Sequence, residues 1–274
     1  MFLRIWAFFG VAAFCLAQDS PDNPQIRREL SLGVQAYRQG HFDEAGRYFE
    51  KAIAINPQAV NPHLYLGMAC AAQWNPESLA PANLELVRRA ESEFLKVLEV
   101  EPEQINALQS IANLSYQRAM ALTEPSDRWE QFTRAAGWYE HLGEVSPRHK
   151  SAFYMGGMIA WNKCQPEIDA ARRQAGMKAD SAEPIANPSI RKTVRDKCGS
   201  VIDEGIEQLR KGLEADRDYS EAMSYLSILE RQRANLEDSP EAAERDIKEA
   251  DAWAQKSAEA ARRRASKPQQ DEDQ

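Results

Sequence analysis

The chain contains 274 residues, 43% apolar and 28% charged, with 42 acidic against 34 basic residues and a formal net charge of −8. That balance repels nucleic-acid phosphates and anionic lipid headgroups unless a local basic stripe is present. The one candidate stripe, Arg262-Arg263-Arg264, reads as the cationic end of a helix, where positive charge favours the macrodipole, so no nucleic-acid partner is expected.

In chain order, Arg4 precedes an apolar run over residues 5–16, and Cys15-Leu16-Ala17 stands before Gln18. This is the pattern of a cleavable secretory signal over residues 1–17, with cleavage expected after Ala17. The run is 12 residues, against the roughly 20 that a spanning helix needs, and nothing later in the chain is apolar enough for a transmembrane segment. Phe14 stands directly before Cys15, where lipid attachment would require a small residue. Removing the signal takes away Arg4 and no acid, so −8 becomes −9 in the mature chain. Residues 18–25 form a short N-terminal extension, and the expected location is secreted, of periplasmic type.

Three prolines, Pro57, Pro102 and Pro147, then follow at an even spacing of 45 residues. Proline cannot continue a helix, so each marks a helix end. At identical offsets before them stand Ala45, Phe49 and Ala52, then Ala90, Phe94 and Val97, then Ala135, Tyr139 and Leu142. A pattern returning at a fixed period is the signature of a repeat protein. With Leu32-Gly33 and Leu66-Gly67 on the preceding helices, it resembles the tetratricopeptide repeat. The resemblance implies an all-α fold, a right-handed α-solenoid of about five helix pairs, A and B, over residues 26–264. It also implies a non-enzymatic scaffold or adaptor that binds other macromolecules.

The first repeat, 26–59, has the ordinary length: Gly33, Ala45 and Ala52 let its helices approach, Leu32 and Phe49 fill the space between neighbouring repeats, and Gly40 makes the turn. The second and third, 60–104 and 105–149, each carry 11 additional residues. Eleven residues make about three helical turns, so both helices of each pair are expected to lengthen without rotating the apolar face. Asn75-Pro76 and Glu124-Pro125-Ser126 mark the turns between them. In the fourth repeat, 150–219, Gly156-Gly157 replaces Leu-Gly, and Gly205, Leu209 and Gly212 replace the helix B signature. A long insertion separates its helices, including the Pro- and Ala-rich stretch 179–189, and Asn187-Pro188 reads as cap and first turn of a long helix. The fifth, 220–264, restarts at Ser239-Pro240 and ends on a charged helix suited to capping the array, with Glu230 where a small or aromatic residue is expected. Residues 265–274 are expected to be a disordered acidic tail.

No nucleophile, metal or phosphate-loop pattern rises above background, so no enzyme activity and no cofactor is expected. His41, His63, His141 and His149 are scattered without ligand spacing and read as solvated surface residues. Cys70 falls at an interior helix position and reads as a small packed residue. Counting inward from each helix of the fourth repeat, Cys164 and Cys198 land at the same turn. They are expected to bracket the base of the insertion, joined as a disulfide or held as two unpaired buried thiols.

The resemblance further implies that helix A of each repeat lines a concave groove. Transferred residue by residue, the lining positions are Arg27, Tyr37 and Arg38; Asn61, Leu64, Met68, Ala71 and Ala72; Asn106, Gln109, Asn113, Tyr116 and Gln117; and Ser151, Tyr154, Met158, Trp161 and Asn162. This surface is amide-rich, aromatic and nearly uncharged. Amides donate to and accept from an extended backbone while Tyr, Trp and Met supply apolar contact, which fits a peptide or partner protein. The cations of the family's carboxylate clamp are missing from the central repeats. Three other readings stay open: the aromatics pack the lengthened helices together; the surface takes a glycan, as in a polysaccharide-export accessory protein; or the chain self-assembles. The oligomeric state is left open with them.

Overall fold

The computed structural model describes residues 23–178 and 183–266. The expected signal at 1–17, most of the 18–25 extension and nearly all of the 265–274 tail lie outside them. Among the described residues there are ten helices and no strand. Cα packing groups the chain into two compact bodies, 1–114 and 115–274, with the boundary inside the fifth helix.

The N-terminal body holds α1 (Pro24–Arg38), α2 (Phe42–Ile55), α3 (Val60–Gln73), α4 (Pro81–Val100) and the first part of α5 (Ile105–Ala121). The Asn23 side chain accepts from Gln25 N at 2.9 Å and Pro24 takes the first turn, where its missing N–H costs nothing. Gly40, at φ +79°, reverses the chain into α2. Each hairpin closes on the same knob: a Cβ at Gly33 would lie 2.4 Å from the Phe49 ring, and one at Gly67 would lie 2.6 Å from the Phe94 ring. The small–aromatic pattern in the sequence is therefore one contact made twice, with both rings fully buried.

In the second repeat the expected lengthening of both helices is corrected. Helix α3 has 14 residues, no longer than α1, while α4 has 20. The balance goes into the 74–80 connection. There the Asn83 side chain accepts from Asn75 N (2.8 Å) and donates to the carbonyls of Asn75 (2.8 Å) and Ser78 (2.7 Å). Pro76 and Pro81 bar continuous helix across this stretch, and the Asn83 clasp supplies backbone partners that a helix would otherwise provide. In the third repeat both helices lengthen: α5 has 17 residues and α6 (Pro125–Val145) has 21.

The C-terminal body holds the remainder of α5, α6, α7 (Lys150–Gln174), α8 (Pro188–Ala215), α9 (Ser220–Ala234) and α10 (Pro240–Ser266). The fourth-repeat insertion is mostly helix, because α7 and α8 run on for 25 and 28 residues and only residues 175–187 connect them. Pro166 lies inside α7 and exposed, so the helix forgoes one backbone hydrogen bond and continues. Asn187 caps α8 by accepting from Ser189 N (3.0 Å) and Ile190 N (3.2 Å). The connection is docked on the α9–α10 turn: Ile185, fully buried, donates from its N–H to the Asn235 carbonyl at 3.0 Å. Three arginines fasten it. Arg172 donates to the Glu183 carbonyl (2.9 Å) and to the Asn235 side chain, Arg191 to the Ile185 carbonyl (2.6 Å), and Arg195 to the Leu236 carbonyl and Asp238.

Glu230 is fully buried, which resolves the irregular register of the fifth repeat. It pairs with Arg210 of α8 at 3.2 Å and with Arg233, which also makes a forked contact to Asp246 of α10 at 2.8 and 3.1 Å. Burial pushes the Glu230 carboxyl upward against the pull of both arginines. At the end of α10, Arg263 pairs with Asp218 (2.8 Å) and Arg264 with Asp216 and Glu221 (both 3.1 Å). Two of the three arginines of the candidate basic stripe are thus held by acids around the start of α9.

Candidate functional site

In the C-terminal body the A helices α5, α7 and α9 share one face, and the expected groove residues meet there. The Tyr116 hydroxyl donates to Met158 Sδ at 3.5 Å, and Asn162 Nδ2 reaches the same hydroxyl at 3.5 Å while donating to the Met158 carbonyl at 2.8 Å. Tyr116 lies 5.8 Å from Phe132 of α6. Further along, Tyr154 and Trp161 of α7 stand edge-on to Tyr225 of α9 at 5.3 and 5.9 Å, and Tyr154 leans on Tyr219 at 5.6 Å. Tyr219 and Tyr225 were missed in the sequence because the register of the fifth repeat hid which α9 positions face α7. The rings are half-buried apart from Tyr219 and Phe132, which are buried. Burial raises the phenols of Tyr116, Tyr154 and Tyr219, so all three are neutral hydrogen-bonding groups at physiological pH. Gln117 is exposed beside them. The arrangement offers stacking edges, a thioether and an amide, with Lys150 4.9 Å from the Tyr219 ring and Arg128 5.5 Å from the Phe132 ring.

The N-terminal body gathers its candidates less closely. Tyr37 packs edge-on against Phe42 at 5.1 Å, at the α1–α2 turn. Asn61, Asn106 and Asn113 are exposed, Met68 and Gln109 half-buried. Arg38 instead lines a cleft of about 580 Å³ with Arg27, Leu30, Val34 and Tyr65. Arg27 and Arg38 belong to the transferred set, but sequence reasoning missed the cleft because its other walls, Leu30 and Val34 of α1 and Tyr65 of α3, lie outside that set.

Two further clefts, about 360 and 480 Å³, run between α6 and α8 over α7 and share Glu140, Gln208 and Lys211. Lys163 lines the smaller one, donating to Thr133 Oγ1 at 2.9 Å and lying 4.3 Å from the Trp129 ring, with Lys197 4.9 Å from the same ring. Burial lowers the Lys163 ammonium below its ordinary value.

Two residue readings are corrected. His63 is not a surface residue but is 5% exposed: Nδ1 donates to Glu93 at 2.5 Å and Nε2 to the Pro57 carbonyl at 2.9 Å. Two acceptors on one ring require the imidazolium, and the bond to Glu93 raises its pKa accordingly. Burial works to raise the Glu93 carboxyl, but hydrogen bonds from His63 and Lys96 outweigh it, and the pKa falls. Cys164 and Cys198 do not bracket the base of a loop. They face each other partway along the α7/α8 pair as buried thiols, the second of the two states expected of them. The reason is the helical insertion, which moves the turn ten residues beyond Cys164.

Among the described residues no group of His, Cys, Asp and Glu could hold a metal ion, and no helix is long and apolar enough to cross a membrane.

No family model matches the chain, and no curated protein matches it either. Solved structures do resemble it. A double mutant of MamA (RS-1) matches with a TM-score of 0.54 at 18% identity, over 89% of this chain and 98% of that one. MamA from Desulfovibrio magneticus RS-1, from residue 41 to its end, gives 0.52 at 18% over 89% and 98%. A further MamA crystal structure gives 0.51 at 15% over 86% and 98%. With the Gly–Phe knob recurring in successive helix pairs and the A helices sharing a face, the chain has the fold of the tetratricopeptide-repeat type.

Proposed function

We propose that this protein is a non-enzymatic scaffold or adaptor that captures an extended peptide segment of a partner protein on the A-helix face of its C-terminal body. The observation that carries this reading is the tract of Tyr116, Met158, Asn162, Tyr154, Trp161 and Tyr225 across α5, α7 and α9. Half-buried aromatic edges supply apolar contact at small entropic cost, and neutral phenol and amide groups pair with backbone N–H and C=O. Gln117, exposed beside the tract, would be a subsidiary position, and Tyr37, Arg38, Asn61, Met68, Asn106, Gln109 and Asn113 would form a separate contact surface of the N-terminal body. The chain would act outside the cytoplasm, after cleavage of its signal at Ala17, and would use no cofactor.

The test is a crosslinked pull-down from an envelope fraction with the wild-type protein beside a Tyr116→Ala, Trp161→Ala double variant whose helicity matches by circular dichroism. A partner lost only in the variant supports the reading. A partner kept by both removes the site from this face. Capture of nothing beyond the protein itself favours glycan binding or self-assembly instead.

A further inference from the structure

Cys164 and Cys198 occupy the centre of the C-terminal core with Ile168, Val194 and Ile202, and neither exposes any surface. They come from facing helices and are 34 positions apart in the chain. Cys164 Sγ lies 3.8 Å from the Cys198 carbonyl oxygen, and a hydrogen bond with the Cys198 side chain, together with burial, pushes the Cys164 thiol far up. The segment between them is the C-terminal part of α7, the 175–187 connection and the first part of α8. A bond here would therefore tie the outer half of this hairpin to its base from inside, while the arginine contacts on the α9–α10 turn hold its tip.

Neither thiol meets a charged or metal-binding group that would explain a reactive role. Lys163 follows the chain next to Cys164 but turns its ammonium to Thr133 and Trp129. Two buried cysteines facing each other across two helices, with Sγ of one 3.8 Å from the carbonyl oxygen of the other, have the pairing a cross-link needs. In the folded chain no oxidant can reach them, since a disulfide forms only by attack of an accessible thiolate.

We infer that Cys164 and Cys198 are a covalent staple of the α7/α8 hairpin, joined during folding and sealed when the core closes over them. The reaction is exchange with an external disulfide, either a low-molecular-weight one or an oxidoreductase. One cysteine loses its proton and attacks the external S–S bond, giving a mixed disulfide and one free thiol on the oxidant. The second, deprotonated in turn, attacks the sulfur of the first and expels the oxidant's other sulfur as a thiol. One S–S bond is made and one broken, two electrons pass to the oxidant, and the two protons end on its thiols. The inference is independent of the peptide-binding reading and survives its failure. Cys70 provides an internal control. It is buried in the other body with its thiol raised to about 11 by burial, and among the described residues no second cysteine belongs to that body.

The experiment uses the full chain carrying Cys15→Ser, which leaves three cysteines. It is unfolded in guanidinium with dithiothreitol, then refolded in a mixture of oxidised and reduced glutathione or in dithiothreitol alone. Thiols are counted with a maleimide under denaturing conditions, and linked peptides are mapped by mass. Oxidative refolding should leave one thiol, at Cys70, with a Cys164–Cys198 peptide lighter by two hydrogens than its reduced parts. The already folded, reduced protein in the same mixture should keep three. The oxidised form should also unfold at higher urea than a Cys164→Ala, Cys198→Ala variant, while the reduced protein and that variant stay close together. Three thiols after oxidative refolding, glutathione adducts in place of the link, or a link to Cys70 would overturn the staple. Rapid oxidation of the folded protein would overturn its sealing.

Discussion

A charged histidine in the core of the N-terminal body makes that body's stability depend on pH. His63 has a raised pKa, so its contribution is complete below its unfolded value near 6.5 and is lost as pH rises through the raised folded value. Glu93 has a lowered pKa, so its contribution is complete above about 4.5 and is lost as pH falls through the lowered folded value. Peptides of α3 and α4 should therefore be best protected from hydrogen exchange between these two values and lose protection on the alkaline side. Glu93→Gln should cost about 3 kcal/mol in urea unfolding near pH 6, because it strands a buried imidazolium, and should flatten the alkaline slope. One turn further along α3, Gly67→Ala would drive a methyl into the Phe94 ring, and a loss of about 1–3 kcal/mol is expected by the same measurement. The glycine's role was legible in the sequence, since Leu66-Gly67 stands in a recurring pattern. The histidine's was not, because its two acceptors come from Pro57 and Glu93, and helix α4 returns to α3 only in the folded chain.

At the scale of elements, the α7/α8 hairpin is set by competition between local breakers and tertiary contacts. The Pro- and Ala-rich stretch after residue 178 marked a long insertion, yet α7 and α8 take up most of it and Pro166 lies inside α7. Burial of Ile168, Ala171, Val194 and Ile202 at helical spacing outweighs the one hydrogen bond that Pro166 removes. Removing Arg172 takes donors from the carbonyls of Lys178 and Glu183 and from the Asn235 side chain at once. Arg172→Ala should speed exchange at the 183–190 amides at least tenfold and cost about 2–3 kcal/mol, with peptides of α1–α4 unchanged. If exchange rises equally along the chain, the arginine supports the whole fold and not the hairpin tip.

Over the whole molecule, charge and division into bodies decide what the protein meets and how it responds. With a formal charge of −8 and both Arg263 and Arg264 engaged by Asp216, Asp218 and Glu221, no basic stripe is left at the end of α10 to gather phosphates. Duplex DNA should not shift in gel retardation at physiological salt, and Asp218→Ala with Glu221→Ala should be the change that first permits weak, salt-sensitive retention. The two bodies also separate the effects of mutation. In a repeat architecture each element contacts only near neighbours, so Glu93→Gln and Arg172→Ala should add in their cost within about 0.5 kcal/mol. A clear departure from additivity in urea unfolding would contradict that separation.

What the sequence determined by itself is what depends on short range and on period: the helical class, the Gly–Phe knobs, the capped helix starts at Pro188 and Pro240, and the acid excess. These follow from steric fit, backbone chemistry and charge, which neighbouring residues already contain. The tertiary structure decided where the 11-residue additions went, that the fourth insertion is helix, that His63 and Glu230 carry charge inward, and that Tyr219 and Tyr225 join Tyr154 and Trp161 on one face. Each of these depends on groups brought together from distant parts of the chain, and such pairings exist only once the helices have packed.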